Sequence, residues 1–158
     1  MVFNKHIVLV TALIFGCSVN VFAAKQQITS SKLPAALAPY SQAILSTSSV
    51  GDKTLYMSGI LPINKRTGDL VDVPFDATLD VMGYITALLN EVSMTWHDVV
   101  DVMILLRDIN DFQNVSRAYG DYLSSLGVEI LPVRVCYQAE LPKNAVVEIK
   151  ATAVKNAS

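Results

Sequence analysis

The chain has 158 residues, 52% of them hydrophobic, with twelve Lys and Arg against fourteen Asp and Glu and a formal net charge of −2. That is enough apolar material for one domain with its own core, and the scattered cations exclude a broad nucleic-acid surface. Two histidines (His6, His97) and two cysteines (Cys17, Cys136) contain no pair at zinc-ligand spacing, so no metal site is expected, and no glycine-rich nucleotide signature is present.

The first stretch, MVFNKHIVLVTALIFGCSVNVFAAK, sets Lys5 before an apolar run from Ile7 and closes on Val21-Phe22-Ala23. This is the layout of a secretory signal peptide cleaved after Ala23, which predicts an exported, periplasmic domain over 24–158. A retained anchor is disfavoured because Asn20 interrupts a run already short of the roughly 20 apolar residues a span needs. Lipidation of Cys17 is a lesser alternative, since Phe15 fits a lipobox poorly. Without Cys17, Cys136 has no internal disulfide partner and reads as a small buried hydrophobe.

Residues 25–38 read as a loose lead segment ending at Pro39. YSQAILSTS (Tyr40–Ser48) and LYMSGILPI (Leu55–Ile63) are two strands joined by a Gly-Asp turn. After the charged loop NKRTGDL a helix begins near Pro74, with Asp72 as its expected cap and Phe75, Leu79, Met82, Leu89 and Val92 as its apolar stripe. Asp98–Leu106 is a strand rich in β-branched residues. A second helix, capped by Asn110 or Asp111, carries Phe112, Val115, Tyr119, Tyr122 and Leu126 on one face and ends at Gly127 in a left-handed conformation. PVRVCYQAE and AVVEIKATAV are the last strands, around a tight LPKN turn. His97, in the MTWHD loop, reads as a surface histidine.

The order is β-β-α-β-α-β-β, an α+β domain with both helices on one face of a mixed sheet. Within VRVCYQ, Val133, Val135 and Tyr137 alternate with Arg134, Cys136 and Gln138. Placing the valines under the helices puts Arg134 on the opposite face, which other subunits would cover, leaving clefts between them. A guanidinium in such a run needs a partner, either a ligand or a carboxylate such as Glu140, Glu148 or one on a neighbouring subunit.

APYSQAI (Ala38–Ile44), MSGILPINKRTGDL (Met57–Leu70), RDINDFQNVSRAY (Arg107–Tyr119) and LPVRVCYQAELPKNAVVEIKATAV (Leu131–Val154) together resemble the RidA/YjgF family of Rid proteins. The resemblance implies a chorismate-mutase-like α+β fold, a homotrimer with three interfacial clefts, no metal or organic cofactor, and hydrolysis of 2-imino acids to 2-oxo acids and ammonia. It assigns Arg134 to clamping the substrate carboxylate, Glu148 to positioning the attacking water, and Tyr40, Ser58, Cys136 and Ser116 to the substrate-binding cleft. The expected partners are a small 2-imino acid or other small carboxylate and further copies of the chain, with no nucleic acid and no membrane span after leader removal.

These residue types suit the chemistry. A forked guanidinium matches a planar carboxylate, and an electrophilic protonated imine needs only orientation, one water and a proton acceptor. Departures from the family pattern are Ile60 in place of a glutamine, Ser116 in place of an asparagine, Asp80 and Tyr84 in the first helix, and one residue fewer between Arg134 and Leu141. The competing expectation is a carboxylate-binding or chaperone-like trimer without turnover. A ribonuclease is disfavoured by the acidic balance and by the lack of a His-Lys-type site.

Overall fold

A computed structural model of the chain describes residues 24–157. The expected leader and Cys17 therefore lie outside the described residues. The strands are β1 (Ala24–Ile28), β2 (Ala43–Thr47), β3 (Lys53–Met57), β4 (Val99–Leu106), β5 (Val133–Gln138) and β6 (Val147–Lys155); the helices are α1 (Pro74–Glu91) and α2 (Phe112–Ser125). They build one mixed sheet in the order β1-β2-β3-β6-β4-β5, in which only β4 and β5 run parallel. The lead segment is not wholly loose. AKQQI pairs antiparallel with β2 as an edge strand, exposed along four of its five residues, so its polar composition hid it.

Alternation fixes the core face. Leu55, Val102, Ile104, Leu106, Ile149, Ala151 and Ala153 are buried against the helices. Helix α1 opens with Pro74, whose fixed φ suits the first turn. Its N-cap is Val73 and makes no side-chain hydrogen bond, so Asp72 does not cap it. Its buried face is Ala77, Val81, Ile85 and Leu88 together with Met82 and Leu89, while Phe75, Leu79 and Val92 of the expected stripe are only half-buried. Spacings of four, four and three give that set the helical period, and its small members made it less visible than the large residues beside it.

On α2, Val115, Ala118, Tyr119 and Leu123 are buried, whereas Leu126 is exposed. Asp108, not Asn110 or Asp111, does the capping, accepting the Asn110 N–H at the head of a 3₁₀ turn (Ile109–Asp111) that leads into α2. Gly127 takes φ +69°, the left-handed conformation expected of it. Thr86 joins the two helices. It receives the Trp96 indole N–H at 2.8 Å, pairs with the Tyr122 hydroxyl at 2.7 Å and donates to the Met82 carbonyl at 2.9 Å.

Register overturns the face expected for Arg134. Arg134 is the parallel partner of Val102 and Cys136 that of Ile104, so both share the helix face with those core residues. Val133, Val135 and Tyr137 lie on the other, open face, where Val133 stays 69% and Tyr137 56% exposed. Glu148 is opposite Leu105, on the open face as well. Arg134 and Glu148 thus occupy opposite faces of one sheet.

A second, smaller core holds the open-face loops. Leu61 and Ile63, beyond β3, pack with Leu141 and Ala145 before β6, supported by Leu70, Leu105 and Ala139. The intervening turn is a 3₁₀ turn (Pro142–Asn144) in which Lys143 and Asn144 take φ of 57° and 60°. The β4–β5 register runs unbroken to Leu106↔Gln138. Arg134 therefore keeps an unbroken register with β4, and any shortening before Leu141 falls after Gln138, outside the strand.

Candidate functional site

The residues singled out in the sequence fall into two groups, one on each side of the sheet. The first lies on the helix side at the β5 edge. Arg134 is half-buried beneath α2, with its Cζ 5.1 Å from the centroid of the Tyr119 ring and 5.6 Å from that of Phe112. Its Nη2 donates to the Ser116 hydroxyl at 3.2 Å. Among the described residues this polar partner is a neutral oxygen, not Glu140 or Glu148. Cys136 is a half-buried free thiol two residues along the same face, packed against the main core. Burial pushes its pKa up, and the charge on Arg134 pulls it partly back. Tyr119 is 5% exposed; burial drives its phenol to about 12, with Arg134 opposing. Its hydroxyl is buried and has no hydrogen-bond partner among the described residues.

The second group lines a cleft of about 610 Å3 on the open face, formed by Leu37, Ala38, Tyr40, Ser58, Gly59, Leu61, Pro142, Lys143 and Glu148. Its floor follows from a strand irregularity. Tyr56 pairs with Thr152, and the next bridge is Ile60 with Ile149, so four steps on one strand face three on the other. The surplus residue makes a bulge at Ser58-Gly59, a device that re-aims side chains at strand ends. A Cβ on Gly59 would overlap the Glu148 carboxylate, so only glycine leaves room for that acid at the bulge. Glu148 is half-buried there and burial raises its pKa.

Tyr40 is an exposed wall of the cleft and not a core aromatic; its hydroxyl accepts the Leu37 N–H at 3.4 Å. The loop that carries it is tied down by Gln42, whose side chain accepts the Ser30 N–H and donates to the Pro34 carbonyl. Ser58 donates both its N–H (2.9 Å) and its hydroxyl (3.1 Å) to the Gln42 carbonyl, which anchors the bulge to β2. Ile60 turns inward and is buried, so the departure at that position adds core instead of a polar cleft group. Tyr84 donates to the Ile63 carbonyl at 2.7 Å and holds the loop behind the cleft to α1.

Tyr40, Ser58 and Glu148 therefore come together, as do Arg134, Ser116 and Cys136, but the two sets do not meet within one chain. Sequence reasoning missed Gly59, Lys143 and the pair Phe112 and Tyr119. The last two were visible only as members of the α2 stripe, and the bulge that makes Gly59 matter leaves no periodic trace.

Comparison with known proteins matches residues 29–155 to the family described as Endoribonuclease L-PSP. A 2-iminobutanoate/2-iminopropanoate deaminase of Bos taurus is 38% identical over 130 residues, covering 81% of this chain and 88% of that one. A RutC family protein of Pyrococcus abyssi is 36% identical over 135 residues, covering 84% and 98%. Among solved structures, a protein of the conserved Rid family from Yersinia pestis superposes with a TM-score of 0.72 at 36% identity, covering 82% of this chain and 98% of its own.

Proposed function

The chain belongs to the Endoribonuclease L-PSP family, the RidA/YjgF proteins, and from that membership we propose that it hydrolyses small 2-imino acids to 2-oxo acids and ammonia. The observation that carries this reading is Arg134. A cation is kept half-buried between aromatic rings and a hydroxyl, with no carboxylate among the described residues to neutralise it. Such a cation is available to an anionic ligand, for which a planar carboxylate is the best geometric match. The relatives named as deaminases act, by name, on imino acids with that group.

The opposite-face placement supports an assembly with shared sites. Arg134 stands beside the outer edge of β5, whereas Tyr40 and Glu148 stand in the open-face cleft. In this reading a second copy brings its Arg134 to this chain's cleft, as in a homotrimer with three shared sites. The apolar residues left on the open face, including Val133, Tyr137 and Tyr56, support such a covering.

In the proposed reaction the guanidinium holds the substrate carboxylate and orients the protonated imine over the Gly59 bulge. Water adds to the imine carbon while Glu148 takes its proton, giving a carbinolamine. Return of that proton to nitrogen lets the C–N bond break, and ammonia leaves as the carbonyl forms, with Glu148 accepting the hydroxyl proton. The raised pKa of Glu148 brings it closer to neutrality, which suits an acid that must accept and return a proton. Ser116 and Cys136 flank the cation, and Tyr40 and Ser58 shape the wall opposite.

An amino-acid oxidase can generate 2-iminobutanoate in the presence of semicarbazide, which traps the imine. The protein should suppress semicarbazone formation, and Arg134→Ala should abolish that suppression while leaving assembly unchanged. Wild-type protein without effect on trapping overturns the proposal. The buried Ile60, which leaves the cleft without a polar group there, favours the second reading of a carboxylate binder without turnover. That reading predicts binding of 2-oxobutanoate with no suppression. Export rests on the leader-like first 23 residues, and cell fractionation that finds the uncleaved chain in the cytoplasm refutes it.

A further inference from the structure

The carboxylate-binding arginine is surrounded by groups whose chemistry is unusual for holding a cation. Internal arginines are commonly pinned by carboxylates, and a carboxylate here would compete with the substrate for the same N–H fork. Instead the guanidinium carbon lies within cation–π range of two rings, 5.1 Å from Tyr119 and 5.6 Å from Phe112. One of its five N–H groups is given to Ser116. All three supports come from α2, at spacings of four and three (Phe112, Ser116, Tyr119), so one helical face presents them together.

We propose that Phe112, Ser116 and Tyr119 are positioning residues that hold Arg134 in its carboxylate-binding orientation without satisfying its charge. The inference rests on the reading of Arg134 as the carboxylate clamp. Aromatic faces attract the cation but accept no bidentate pair, so the remaining N–H groups stay free for the ligand. The cradle also lowers the entropy lost when a long side chain is fixed on binding. Because substrate and transition state carry the same carboxylate, losing the orientation weakens both alike. It therefore appears in KM more than in kcat. Ser116, taken from the sequence as a substrate-binding residue, acts here through Arg134.

The test compares Phe112→Leu, Phe112→Tyr, Ser116→Ala, Tyr119→Phe and Tyr119→Leu with Arg134→Ala. Readouts are steady-state KM and kcat on 2-iminobutanoate and the Kd of 2-oxobutanoate by calorimetry, on protein that keeps the wild-type oligomeric state and melts well above the assay temperature. Phe112→Leu and Tyr119→Leu should each raise KM and Kd about fivefold to tenfold, from the loss of one ring, with kcat within about twofold. Phe112→Tyr and Tyr119→Phe, which keep the rings, should restore wild-type values, and Ser116→Ala should give a smaller KM rise. Should Tyr119→Leu fail to fold, Phe112→Leu decides. Wild-type KM and Kd in Phe112→Leu overturn the cradle while Arg134→Ala still abolishes turnover. If Arg134→Ala itself changes nothing, the clamp reading fails instead, so the two failures are distinguishable.

Discussion

Two side chains have environments that make opposite demands. The Tyr119 hydroxyl is buried without a partner among the described residues, and such a group costs about 1–3 kcal/mol in desolvation. Tyr119→Phe keeps the ring beside Arg134 and is expected to stabilise the fold by about 1 kcal/mol; urea denaturation checks it, and a loss of stability would reveal a partner for the hydroxyl. Glu148 is held above its usual pKa by burial. The folded chain then binds its proton at pH values where the unfolded chain has released it. Stability therefore falls as pH rises from the ordinary glutamate value through the raised one, then levels. Glu148→Gln should remove that fall, measured by melting across the acid range, and should abolish turnover. In the wild type the rate should climb with pH along the same displaced titration. Arg134 and Glu148 were singled out through the family resemblance, but the faces they occupy were not legible. Val133, Val135 and Tyr137 are more apolar than Arg134, Cys136 and Gln138, so alternation alone sends the valines under the helices. The parallel register Arg134↔Val102 reverses this, and no single-strand pattern encodes a register.

At the scale of elements, the bulge at Ser58-Gly59 and the turn at Lys143-Asn144 set the shape of the cleft. Gly59→Ala is expected to lose most activity, because the new methyl must displace the Glu148 carboxylate, while the melting temperature shifts modestly since that carboxylate is only half-buried. Unchanged KM and kcat in Gly59→Ala would show that Glu148 does not need its place against the backbone. Gly127→Ala tests a purely structural glycine. At φ +69° a side chain is strained, so a loss of about 1 kcal/mol with unaltered kinetics is expected. The helices, the hairpin and the last two strands were all readable from hydrophobic period and turn residues, although β4 lies between β5 and β6 in the sheet. The edge strand AKQQI and the caps were not. An exposed edge strand shows no apolar alternation, and the helix starts at Pro74 with Val73 as its N-cap, one residue past the expected Asp72.

For the molecule as a whole, separation of Arg134 from Glu148 across the sheet makes the proposed assembly testable by mixing. Arg134→Ala and Glu148→Gln copies are each inactive in this scheme, yet co-refolding should regenerate intact sites and recover a sizeable fraction of wild-type turnover. Two inactive preparations that stay inactive after mixing, with mixed oligomers verified by mass spectrometry, would place each site within one chain. Tyr137→Glu, on the exposed open face of β5, should shift the protein towards monomer in light scattering and lose activity with it. Fold class was within reach of the sequence because it depends on element order. Covering of one face by other subunits was read from strand alternation and the trimer from family resemblance, and the Val133 and Tyr137 exposures support the covering on the face opposite to the helices.

The proposed sharing of each site between two chains has a kinetic corollary. A catalyst whose halves are carried by different molecules has a specific activity that depends on how much of it is present. Below the dissociation constant of the assembly, diluted protein would stay folded yet fall silent, and added inactive Glu148→Gln chains, by lending their arginines, would partly revive it.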